Sequence, residues 1–163
     1  MTVDLDLPRV ALKKVTPQVS AAMGGLHAAA VAAAKDAGVE PSLLELVRIR
    51  ASQINGCAFC IDMHTKDARA AGETEQRVYA LNAWAETPFF TERERAALAL
   101  TEAVTLIAGD RVPDDVYHAA AEVFKEDELA ALIWAAVVIN AYNRIAIGTR
   151  MAPGGYQPAK TSS

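Results

Sequence analysis

Metal-binding and redox side chains are scarce in this chain. Its 163 residues hold two cysteines and three histidines. A structural zinc site usually takes four ligands rich in Cys and His. His27 and His118 lie far from the cysteines in sequence, so such a site would need Cys57, Cys60, His64 and a carboxylate. No resident metal or organic cofactor is expected. Lys and Arg are scattered among Asp and Glu, and the formal net charge is −4. With no basic stripe, nucleic acid is not an expected partner. No charged stretch followed by an apolar one opens the chain, which argues against a secretory signal. The longest apolar run, Leu129 to Ile139, is too short to span a bilayer. No membrane contact and a cytoplasmic location are therefore expected. No β-hairpin signal, low-complexity tract or linker is evident, and Gly and Pro cluster at only a few points.

Helical signals are abundant. Hydrophobic residues make up 52% of the chain, with much alanine. Thr16-Pro17 marks a helix start and Gly38 a stop, with Gly24-Gly25 a weak point or break between them. Pro41-Ser42 opens a helix to about Asn55, and Gly56 ends it. A cysteine-bearing helix follows to about Ala71, stopped at Gly72. Thr74 starts another through Trp84, ending before Pro88. Thr91 with Glu94 has the capping-box pattern, for a helix ending near Gly109. Pro113 opens a shorter helix to about Phe124. Glu126 to Ile147 is the last and most apolar, stopped by Gly148. These signals predict one all-α domain of about seven helices over residues 1–150, with a loose tail over 151–163. The apolar circumference of the last helix predicts either a central core position or burial in an oligomer.

The stretch Cys57-Ala58-Phe59-Cys60-Ile61-Asp62-Met63-His64 carries the chemistry. Helical steps of about 100° place Cys57, Cys60 and His64 within a wedge of roughly 60°. A lone Cys-x-x-Cys without a secretory context is more often catalytic or metal-binding than a structural staple. The thiolate is the reactive form, and a helix N-terminus after Gly56 would favour it. One thiolate can attack an electrophilic oxygen or sulfur, and the other thiol can resolve the product as a disulfide. Nearness to the helix start favours Cys57 as the attacking thiol, whereas His64, four residues beyond Cys60, favours Cys60. Ile61 after Cys60 excludes covalent c-type haem. Other residues read as structural: His27 as incidental, His118 as surface, Trp84, Phe89 and Phe90 as core or interface. Asn140, Asn143 and Arg144 read as structural polar bridges from the last helix to the cysteine helix or to a neighbouring subunit. Periodicity alone reads Glu45 as a surface residue paired with Arg48.

The run from Glu45 through Cys57, Cys60 and His64 to Arg69 resembles the AhpD-like alkylhydroperoxidases of the carboxymuconolactone decarboxylase superfamily. The shared pattern is a glutamate twelve residues before Cys-x-x-Cys-x-x-x-His. The resemblance continues through Trp84, the segment Pro88 to Arg95, and Asn140 to Arg144. It implies an all-α fold assembled as trimers or hexamers, and peroxidase activity through the cysteine pair. On that resemblance Cys60 would attack the peroxide, Cys57 would resolve it, and His64 with Glu45 would relay protons. An external dithiol, either a lipoyl-bearing or a thioredoxin-like protein, would re-reduce the pair. The same cysteines also suit a disulfide oxidoreductase or redox sensor with little peroxide turnover.

Overall fold

The computed structural model describes residues 9–159. The outermost parts of the expected domain and tail, residues 1–8 and 160–163, lie outside the described residues. Among the described residues the regular structure is helical: α1 (Leu12–Val15), α2 (Pro17–Asp36), α3 (Pro41–Asn55), α4 (Ala58–Ala70), α5 (Glu75–Ala80) with a 3-10 extension (Leu81–Glu86), α6 (Glu92–Thr105), α7 (Asp114–Val123) and α8 (Glu126–Thr149). The seven expected helices are present, and the short α1 is an addition.

Local chemistry explains most boundaries. Pro17 and Pro41 stand at helix starts, where a missing N–H costs nothing. The Thr91 hydroxyl accepts from the Glu94 N–H, and Glu94 returns a bond to the Thr91 N–H at 2.8 Å. Three expected boundaries differ. Gly24-Gly25 does not break α2, because its flanking alanines and packing on α8 outweigh the propensity cost. α8 likewise passes through Gly148 and ends at Arg150, which takes the left-handed conformation at φ 56°. α6 stops at Thr105, short of Gly109.

α3 is the hub, packed against α4, α6 and α8. Leu46, Val47, Ile49 and Ala51 on it are wholly buried. Leu46 and Ile49 join Leu81, Phe90 and Leu98 in one apolar cluster, against which Trp84 and Phe89 pack. These aromatics are thus core residues. Val47 joins a second cluster with Leu100, Leu129 and Leu132.

α8 is 24 residues long, and by length and composition alone it could cross a bilayer, so the run to Ile139 understated it. Half of its most apolar window is buried inside the protein, and it packs on α2, α3 and α6. It also carries the buried Asn140 and Asn143. A polar pair held this way suits a core helix better than a lipid-facing one. Asn55 on α3 donates to both asparagine side-chain carbonyls at 2.9 and 2.8 Å, and Asn143 donates to Ser52 at 3.0 Å. The polar bridge therefore runs to α3 and not to the cysteine helix.

Candidate functional site

The turn between α3 and α4 sets the cysteines. Gly56 caps α3 at φ 69°, a conformation that side-chain-bearing residues rarely adopt. The Cys57 N–H then bonds back to the Ser52 carbonyl at 2.9 Å. This reverses the chain and leaves Cys57 as the N-cap of α4, where its sulfur accepts from the Cys60 N–H at 3.3 Å. The two cysteines form a disulfide, with Cα atoms 5.3 Å apart. Both are almost fully buried, beside Ala51, Ile139 and Ala146.

One turn on, His64 is buried, and its Nδ1 lies 2.9 Å from Glu45 Oε2. The other Glu45 oxygen accepts from Arg48. Glu45 is therefore no surface residue: its side chain is 14% exposed and α3 aims it at α4. Burial pushes its carboxyl up, but the bonds from His64 and Arg48 prevail and hold it below the usual carboxylate value. All four sequence-derived candidates thus lie along the α3–α4 contact.

A cleft of about 1300 Å³ opens beside them. Cys60, His64, Glu45 and Arg48 line it; Cys57 does not. Its far walls come from α2 and α8 and are largely apolar, with Val19, Val138 and Ile145 among them. A pocket of this kind, apolar with a few convergent polar groups, suits a small organic ligand.

The sequence reading missed three residues here. His27 lines the cleft, with its ring edge-on to Tyr142 at 5.7 Å between centroids. Burial, then the nearby charges of Arg48 and His64, lowers its pKa. No spacing signal links it to the cysteines, because α2 approaches only through tertiary packing. Asp67 stands three residues beyond His64 on the same face of α4, a spacing that could have found it. Tyr156 reaches the cleft from beyond α8 and donates to Asp67 at 2.7 Å. That bond, with burial and the carboxylate charge, pushes the phenol up to about 12. The segment expected to be a loose tail is thereby tied to α4. Glu45, His64 and Asp67 each bring one ligand-type atom within 4.8 Å of the others. Arg48 and Tyr156 already partner the two carboxylates, so the set reads as a hydrogen-bonded array. His118 is exposed, as expected.

Residues 17–103 match the model of the carboxymuconolactone decarboxylase family. The chain belongs to that family. The match spans the cysteine motif, Glu45 and His64. Among family relatives, the uncharacterized protein YdfG of Bacillus subtilis (strain 168) is 50% identical over 120 residues, covering 72% of this chain and 82% of YdfG. ATU0492 of Agrobacterium tumefaciens, a protein of unknown function linked by name to the antioxidant defence protein AhpD, is 36% identical. It superposes with a TM-score of 0.81 over 94% of this chain and 99% of its own. The AhpD-like fold is also shared by the debrominase Bmp8 in complex with 2,3,4-tribromopyrrole. That structure has 20% identity and a TM-score of 0.73, over 86% of this chain and 73% of Bmp8. At that identity the likeness carries the fold alone.

Proposed function

We propose that this chain is a thiol peroxidase that reduces organic hydroperoxides or hydrogen peroxide through Cys60 and Cys57. The observation that carries the reading is the disulfide-linked pair at the cleft, with Cys60 as the cysteine lining it. His64, held by Glu45, lines the same cleft.

In the reduced protein His64 takes the Cys60 proton. With Nδ1–H donating to Glu45, Nε2 is the nitrogen left for that transfer. The Cys60 thiolate attacks the outer oxygen of ROOH. The S–O bond forms, the O–O bond breaks, and the departing alkoxide takes the proton from His64 as ROH. Cys60 is now a sulfenic acid. The Cys57 sulfur gives up its proton and attacks the Cys60 sulfur. Hydroxide leaves and becomes water, and the disulfide forms. Peroxide is reduced and two thiols are oxidised. An external dithiol of the lipoyl-bearing or thioredoxin-like class takes the disulfide back to thiols. The apolar cleft walls favour an organic R group.

Cytoplasmic location fits this cycle, since a reducing compartment supplies the dithiol. Exposed Val15, Val19 and Val31 lie along α1 and α2 and support assembly into a homo-oligomer, a trimer or hexamer. One feature favours a second reading, a disulfide oxidoreductase acting on protein thiols. Phe59, beside Cys60 in the cleft wall, offers the peroxide no proton. The deciding experiment counts thiols in reduced protein before and after one equivalent of cumene hydroperoxide. Loss of both thiols within seconds, absent in Cys60→Ser, supports the peroxidase. Thiols that persist for many minutes overturn it in favour of the oxidoreductase.

A further inference from the structure

The segment after α8 enters the relay. We propose that Tyr156 is a positioning residue for His64: its hydroxyl occupies Asp67, so that Glu45 alone orients the imidazole. The inference builds on the relay role given to His64 above.

Two carboxylates lie close to one imidazole here, and one of them holds it. Asp67 follows His64 by three residues on α4, and Glu45, His64 and Asp67 place one atom each within 4.8 Å of the others. Glu45 holds Nδ1 at 2.9 Å and is itself fixed by Arg48. Asp67 Oδ1 is engaged by the Tyr156 hydroxyl at 2.7 Å. The segment carrying Tyr156 is anchored at three further points. The Met151 N–H bonds to the Ala146 carbonyl at 3.0 Å as α8 ends. The Gly154 N–H donates to Asp62 at 2.9 Å, and Lys66 Nζ donates to the Tyr156 carbonyl at 3.1 Å. Asp62, Lys66 and Asp67 thus form a landing strip on α4 that sets the phenol in register.

The phenol is a donor only. The carboxylate it serves keeps it protonated far above neutral pH. Tyr156 also lines the cleft that Cys60 and His64 line. An imidazole gripped by both carboxylates would donate from both nitrogens and have none left for the Cys60 proton. Charge at both sides would also hold it as imidazolium. Besides Glu45 and Asp67, the titratable or charged groups that line the cleft with His64 include Arg48 from α3, Cys60 from α4, His27 from α2, Tyr142 from α8, and Arg9 and Lys13 near the start of the described residues. Removing only the Tyr156 hydroxyl changes the account of Asp67 and leaves these others in place.

The test follows the histidine C–H resonances of the reduced full chain by NMR as a function of pH. It compares the parent, Y156F, D67N and the double variant. In Y156F the His64 midpoint is expected to rise by about one pH unit, the lower range for a carboxylate brought to bear on a histidine at this distance. In the D67N background the same Tyr156→Phe change should do nothing to it. His118, exposed on α7, is the internal reference and should stay fixed in all four proteins. Amide resonances outside 62–67 and 151–158 should match the parent, which establishes that the fold is intact. An unmoved His64 midpoint in Y156F, or an equal rise with and without Asp67, overturns the proposal. Peroxide consumption by the same samples is read separately. A coupled midpoint shift in proteins that consume no peroxide leaves Tyr156 as a positioning residue and rejects the peroxidase.

Discussion

Glu45 and His64 are nineteen residues apart, yet their side chains meet at 2.9 Å across the α3–α4 contact. The turn at Gly56 makes this possible by folding α4 back along α3. The bond engages Nδ1 of His64 and ties the imidazole to the hub of the core. His64→Ala is expected to lower the second-order rate with cumene hydroperoxide by about 10²- to 10⁴-fold, the usual worth of a positioned proton-transfer group. Stopped-flow thiol loss measures it.

The two cysteines should fail differently. Cys60→Ser leaves no thiol lining the cleft, and peroxide should then leave Cys57 untouched on the timescale of parent turnover. Cys57→Ser keeps the attacking thiol and removes its resolving partner, so a sulfenic acid should accumulate at residue 60. Trapping with dimedone, followed by peptide mass mapping, reads both outcomes.

Glu45 also makes stability depend on pH. Its folded carboxyl lies below the unfolded value of 4.5 because the bonds from His64 and Arg48 outweigh burial. As pH falls the unfolded chain takes up the proton first. The contribution is therefore whole above the unfolded value and is lost as pH falls through the folded one. Glu45→Gln should cost about 1.5–3 kcal/mol at pH 7, the range for hydrogen bonds to a charged group. Its urea midpoint should also vary less with pH in the acid range than that of the parent.

Asn143 is fully buried and links α8 to Asn55 and Ser52 on α3. Asn143→Ala removes one bond from each of these partners, while Asn55 still donates to Asn140 and Ser52 to the Arg48 carbonyl. A loss of about 0.5–1.5 kcal/mol per lost hydrogen bond is expected, read as a lower urea midpoint with an unchanged slope. Ser52 also supplies the carbonyl that holds the Cys57 N–H, so thiol reactivity should fall in the same variant.

The capping box offers a local check. Thr91→Ala removes the acceptor of the Glu94 N–H and should lower stability by about 1 kcal/mol. Thermal unfolding measures this, and thiol chemistry should be unaffected.

Local rules made the frame legible. Pro17, Pro41 and the Thr91–Glu94 pair act within one turn of themselves, and Gly56 and Gly72 act at a single φ. The interval from Cys57 to His64 spans two turns of one helix, so the sequence alone determined that thiols and imidazole share a neighbourhood. Contacts between distant elements were another matter. Periodicity reads Glu45 as a surface residue beside Arg48, but the packing of α4 on α3 makes that face interior. α2 brings His27 across more than thirty residues, and the segment after α8 brings Tyr156 across eighty-nine. Gly24-Gly25 and Gly148 were misread for a related reason, since tertiary packing outweighs a propensity cost of about 1 kcal/mol. The sequence determined the helices, their caps and the cysteine pair, because these depend on neighbours along the chain. The tertiary structure decided which polar groups surround that pair, because those contacts exist only once the apolar faces of α2, α3, α4 and α8 have closed on one another.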